Sequence, residues 1–133
     1  MTDQPSALRS WHAAVASGDV TLLDDLLADD VVFRSPAVYA PQAGKALTTW
    51  YLTAAFAVLG PSLRYVGEWF DDAGAALEFE AELDGRFVQG VDLLRWNADG
   101  RLTSITVLAR PMRGLEKLIE LMARQLTAGN AAG

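Results

Sequence analysis

Cysteine is absent from the 133 residues, and histidine occurs once, as His12. Without cysteine there is no disulfide framework, no thiolate zinc site and no cysteine nucleophile. Also missing are a phosphate-cradling glycine loop, a Gly-x-Ser-x-Gly elbow and a His-Glu-x-x-His run. Nucleotide, serine-hydrolase and metal readings therefore lack support, and neither metal nor cofactor is expected. Positive charge is scarce: 11 Lys and Arg stand against 17 Asp and Glu, for a net charge of −6. Nucleic acid and anionic membrane surfaces both need clustered cations, so neither is an expected partner. No apolar run approaches the roughly 18 residues of a membrane helix. The first residues show no basic-then-apolar signal pattern, so a cytoplasmic location is expected.

Apolar residues, in contrast, are plentiful. They make up 51% of the chain, and the mean hydropathy is +0.15. A surplus of that kind suits a pocket, an oligomer interface or both. The length fits one domain, assigned to residues 1–127, with 128–133 expected to be a disordered tail.

Helical spacing opens the chain: Leu8, Trp11, His12 and Val15 recur at i, i+3, i+4 and i+7 between Pro5 and Ser17. Gly18 is placed to stop this helix, and Asp19 to cap a second one running to about Ala28. Val31–Arg34 reads as a short strand, and Pro36 and Pro41 enforce a loop after it. Gly44–Leu59 reads as a third helix with Leu47, Trp50, Tyr51, Ala54 and Val58 as its stripe, stopped by Gly60-Pro61. The period then changes to two. Leu63–Phe70, Ala75–Leu83, Arg86–Trp96 and Arg101–Arg110 read as strands, and a last helix follows Pro111. The fold class is α+β: three helices, then an antiparallel sheet, then a helix.

The Asp84-Gly85 pair fixes one register, because a two-residue type I′ turn needs φ > 0 at both positions. It sets Leu83 opposite Arg86, Phe79 opposite Gly90 and Leu77 opposite Asp92. One face then collects Leu77, Phe79, Ala81, Leu83, Val88, Gly90, Asp92, Leu94 and Trp96. A four-residue turn at Asn97–Gly100 adds Thr103, Ile105, Val107 and Ala109. An even loop before Ala75 places Arg64, Val66, Glu68 and Phe70 on that face, whereas a one-residue slip exchanges them for Tyr65 and Trp69. The other face carries Glu78, Glu80 and Glu82 together with Phe87, Val91, Leu93, Leu102 and Leu108. Water is a poor partner for those five apolar residues. A homodimer through this face is expected, the alternative being that the C-terminal helix covers it.

Three segments carry a family likeness: Trp11-His12-Ala13-Ala14-Val15-Ala16-Ser17-Gly18-Asp19, Ala28–Pro36, and Val91–Leu102 with Val91-Asp92-Leu93 at its start. In order and spacing the chain resembles the nuclear transport factor 2-like cone, and within it the SnoaL-like branch of polyketide cyclases, ketosteroid isomerase and limonene epoxide hydrolase. The resemblance implies a cone-shaped sheet with the N-terminal helices packed into its concave face, a dimer through sheet faces, and a small hydrophobic ligand in the cone. It also places Asp92 where ketosteroid isomerase holds a neutral aspartic acid as a hydrogen-bond donor. Trp11 then stands in place of that enzyme's donor tyrosine, and Ser35 in place of its aspartate base.

Asp92 is the centre of the candidate site. It is an acidic residue on an apolar face, where burial raises a carboxyl pKa; the alternative is a structural Asp bonded to an amide or a Trp N–H. His12 and Glu68 are candidate bases beside it. Trp11, Ser35, Tyr39, Trp50, Tyr51, Phe79 and Trp96 are candidate ligand contacts, with Tyr39 in the proline-bounded loop at the mouth. Two readings stay open: a cofactor-free isomerase, cyclase or epoxide hydrolase, and a non-catalytic ligand-binding or dimeric scaffold module.

Overall fold

The computed structural model describes residues 3–132, with side chains through 128. Helix α1 (Ser6–Ser17) ends at Gly18, whose φ of 68° and N–H bond to the Ala14 carbonyl make the expected left-handed stop. Helix α2 (Leu22–Leu26) is shorter than its apolar stripe suggests. Asp19 does not cap it; its carboxylate instead accepts from the Thr21 amide and hydroxyl. Strand β1 (Leu27–Arg34) takes over at once, absorbing Leu27 and Ala28. A two-residue strand, β2 (Gln42–Ala43), follows the proline loop and precedes α3 (Lys45–Leu59). On α3 the buried face is turned one residue from the expected stripe: Thr48, Leu52 and Ala54 are buried, and Trp50 is exposed.

Strands β3 (Arg64–Phe70), β4 (Gly74–Leu83), β5 (Arg86–Trp96) and β6 (Leu102–Arg110) form an antiparallel meander. β1 joins β6 in parallel and β2 pairs with β1, giving one open, mixed, six-stranded sheet in the order β2-β1-β6-β5-β4-β3. Asp84 (φ 49°) and Gly85 (φ 80°) make the expected turn, and the register from Leu83↔Arg86 to Leu77↔Asp92 follows from it. The next hairpin differs. An irregularity between Arg95 and Trp96 sets Trp96 opposite Leu102. Leu102 is therefore fully buried in the core, not on the convex face, and Thr103 is not buried.

Helix α4 (Met112–Ala132) follows Pro111 and continues through residues 128–132, where a disordered tail was expected; Gly133 lies outside the described residues. It packs on α3 and across β4, β5 and β6. Its Leu118, Leu115 and Met122 join Phe79, Leu83 and Val88 in a core cluster on the concave side. The larger cluster links Leu8, Trp11 and Ala14 of α1 to Val31, Phe33, Leu77, Leu94 and Ile105 of the sheet. All four helices thus serve the concave layer, and α4 does not cover the convex one. Among the described residues no helix is long and apolar enough to cross a membrane.

Candidate functional site

Strand β3 decides the site, and it does so by an irregularity. Tyr65 pairs with Phe79, but the next regular pair is Gly67 with Glu78, so one residue is inserted between them. Before this bulge odd-numbered residues face the concave side; after it even-numbered ones do. Tyr65, Glu68 and Phe70 all end up on the face that holds Asp92, opposite Phe79, Leu77 and Ala75 respectively. Neither of the two parities expected from the sequence is correct by itself. The isolated Gly67 inside a strand pattern was the available signal for such a bulge.

Tyr65 is the residue that sequence reasoning missed. Its hydroxyl donates to Asp92 Oδ2 at 2.6 Å and accepts from Trp11 Nε1 at 3.0 Å. Trp11 is 2% exposed and Asp92 6% exposed, so this Trp–Tyr–Asp chain lies in the interior. Burial pushes the Asp92 carboxyl up to about 6, against the hydrogen bond from Tyr65 and the electrostatic influence of His12. Burial, followed by the Asp92 charge and the hydrogen bond to it, drives the Tyr65 phenol far above its ordinary value. The pair therefore ionises at Asp92, with Tyr65 keeping its proton.

The three groups line one cavity of about 230 Å³ between the concave sheet, α3, α4 and the 35–38 loop. Its remaining walls are almost wholly apolar, including Phe33, Tyr51, Phe56, Val107, Leu118 and Met122. Tyr51 stacks on Phe33 with ring centroids 5.9 Å apart, and Phe56 meets Trp11 edge-on at the same distance. Ser35 lines the cavity as well, with its Oγ accepting from the Ala37 and Val38 amides at 3.3 and 3.1 Å. Asp92 Oδ1 has no hydrogen-bond partner among the described residues.

Several candidates fall outside this cavity. His12 Nε2 and Glu68 Oε1 lie 2.6 Å apart, and Gln4 Nε2 donates to the other Glu68 oxygen at 2.8 Å. Burial raises the Glu68 carboxyl, but its hydrogen bonds to His12 and Gln4 outweigh that and hold it below its usual range. With both oxygens engaged and no place in the lining, Glu68 is not poised as a base. The His12 and Tyr65 rings pack edge to face with their centroids 5.3 Å apart. Tyr39 is fully exposed, and Trp50 packs edge-on against Tyr51 from outside. Phe79 is buried in the β4–β5–α4 core. Trp96 is core too, donating its Nε1 to the Asp72 carbonyl at 2.7 Å. Of the expected contacts, Trp11, Ser35, Tyr51 and Asp92 meet at one cavity.

The SnoaL-like domain profile matches residues 8–105, which span α1 through the middle of β6. The chain belongs to the SnoaL-like family. A steroid delta-isomerase structure from Pseudomonas aeruginosa is 34% identical to this SnoaL-like chain, covering 95% of it and 93% of its own length at a TM-score of 0.90. An uncharacterized cystatin-fold protein from Silicibacter pomeroyi is 27% identical over 92% of this chain and 86% of its own, with a TM-score of 0.85. At 15% identity the epoxide hydrolase/cyclase-like enzyme of salinomycin pyran-ring formation shares the fold, with a TM-score of 0.66 over 81% of this chain and 90% of its own. No curated protein matches the chain.

Proposed function

We propose that this SnoaL-like chain is a cofactor-independent isomerase that binds a small hydrophobic carbonyl compound and moves a proton between two of its carbons. Asp92 is the base and Tyr65 the hydrogen-bond donor. One observation carries the reading: the Asp92 carboxyl lies in an apolar cavity with Oδ2 held by Tyr65 and Oδ1 unengaged. A pKa near the working pH suits a group that must both take and return a proton.

In the forward step Oδ1 takes a proton from the carbon beside the carbonyl. The C–H electron pair moves into the carbonyl group and leaves an enolate. Asp92 is then neutral, and the Tyr65 O–H, no longer held by an anion, can turn to the enolate oxygen while Trp11 still donates to it. Return of the proton to the far carbon of the conjugated enolate restores the carboxylate, so no co-reactant is consumed. With its pKa at about 6, Asp92 is mostly ionised above that pH. It is then a base, and it serves as a neutral donor only below that pH. The relative described as a steroid delta-isomerase supports an isomerase over a cyclase or epoxide hydrolase.

The test is hydrogen exchange and double-bond migration in a β,γ-unsaturated ketone, followed by NMR in D₂O. Asp92→Asn should cut the rate by about 10²–10⁴-fold and Tyr65→Phe by about 10²–10³-fold, both with binding retained. A second reading, a binding module without catalysis, is favoured by Ser35 standing where ketosteroid isomerase has its aspartate base. Binding without turnover in the wild type would decide for it. We further propose that two copies pair through the convex sheet face. There Phe87 and Leu108 are 50% and 55% exposed, and α4 lies on the opposite side.

A further inference from the structure

The cavity's size and polarity narrow the ligand, given the reading of Asp92 and Tyr65 as the end of the site where the ligand's carbonyl group reacts. An apolar cavity of about 150 Å³ accommodates benzene, with six carbons. At about 230 Å³ this one is about half as large again, which scales to about nine or ten carbons. A four-ring steroid has about twice that content and would leave much of its apolar surface in water, losing the transfer energy that drives its binding.

We infer that the cavity encloses a one- or two-ring ketone of about nine or ten carbons, with its oxygen at the Tyr65–Asp92 end. The walls contain both a limit on that size and a way to change it. Ala55 of α3 is a small side chain lining the cavity, and a leucine there would put three more carbons into it. Met122 of α4 is a long, flexible side chain on the lining and partly buried, so shortening it enlarges the space. Phe33 and Tyr51, stacked on each other with ring centroids 5.9 Å apart, add aromatic surface to the wall. These features set specificity without touching the proton-transfer groups.

The experiment is calorimetric titration of the full chain with three saturated ketones: cyclohexanone, 2-decalone and a 3-keto androstane. The wild type should bind 2-decalone at least about tenfold more tightly than either of the others, since each extra enclosed carbon adds apolar burial. Ala55→Leu should weaken 2-decalone by about tenfold while leaving cyclohexanone within about twofold. Met122→Ala should move the preference toward the steroid. Steroid binding tighter than 2-decalone in the wild type overturns the size assignment and leaves the site intact. Equal weakening of cyclohexanone and 2-decalone by Ala55→Leu also overturns it, because the leucine would then be acting on the fold and not on volume. If none of the three binds, the ligand site itself is wrong, a failure distinct from a preference for the larger ring system.

Discussion

Asp92 would be easier to ionise in the unfolded chain than in the folded one. The native carboxyl, pushed up to about 6 by burial, keeps its proton over a range in which the unfolded one has lost it. Between about pH 4 and pH 6 the native state thus binds the extra proton, and stability falls as pH rises through that window, levelling off above it. At about 1.4 kcal/mol per unit, the full effect is about 2–3 kcal/mol. Asp92→Asn should therefore raise thermal stability at pH 7.5 by up to that amount and have little effect at pH 4, as followed by calorimetry at the two pH values. An unchanged melting temperature at pH 7.5 would mean that the carboxylate is well solvated. Tyr65→Phe should act in the opposite direction. It removes the hydrogen bond that favours the anion, so the Asp92 pKa should rise further, as read from its carboxyl carbon by NMR titration. It also strips the Trp11 N–H of its acceptor, a loss of about 1–3 kcal/mol.

Elements supply the geometry these side chains need, and two of them depend on glycine or on a register fault. A Cβ at Gly90 of β5 would sit 2.4 Å from both the Phe79 ring and the Leu108 carbonyl oxygen. Gly90→Ala should cost about 1–3 kcal/mol or more in chemical denaturation, because both neighbours are packed. Deleting Val66 removes the inserted residue yet leaves Tyr65 opposite Phe79 and Glu68 opposite Leu77. A regular β3 should therefore keep the fold, by circular dichroism, and ligand binding, by titration; loss of binding would mean that the bulge itself aims Tyr65. How much could be read from the chain follows the same division. The Asp84-Gly85 turn is a local rule, so it foretold the β4–β5 pairing and the Leu77–Asp92 partnership residue by residue. Asp92 stood out because one charge on an apolar face violates a periodic pattern. Tyr65 did not, since its inward position depends on a bulge between strands, and the parity of β3 cannot be counted from its loop. Leu102 was misplaced for the same reason. Trp50 and Phe79 show the other limit: an aromatic at the right spacing is either cavity wall or core filling, and only the packing of α3 and α4 distinguishes them.

At the scale of the molecule, the sheet divides labour between its faces, and the convex one is also divided along its length. Glu78, Glu80 and Glu82 lie toward one end, while Arg95, opposite Gly74, and Arg34 lie toward the other, with Phe87, Leu93 and Leu108 among the exposed residues of that face. In the proposed pair, a twofold axis running across the strands would bring the Glu78 and Glu82 end of each copy onto the Arg34 and Arg95 end of the other, Glu80 being already paired with Arg64 of its own chain. Light scattering at micromolar concentration should give twice the 14.3 kDa chain mass, and Leu108→Glu should return it to the single value with the fold intact. A mass of one chain for the wild type would rule out the pairing. The sheet is a single layer, so Asp92 points into the cavity while Leu93, its neighbour in the chain, points out of the other side. Interior and exterior are interleaved on one strand, letter by letter. Variation at the outer letters is therefore not free: a change that slides β5 to suit a different partner also moves the acid, and the two surfaces can drift only together.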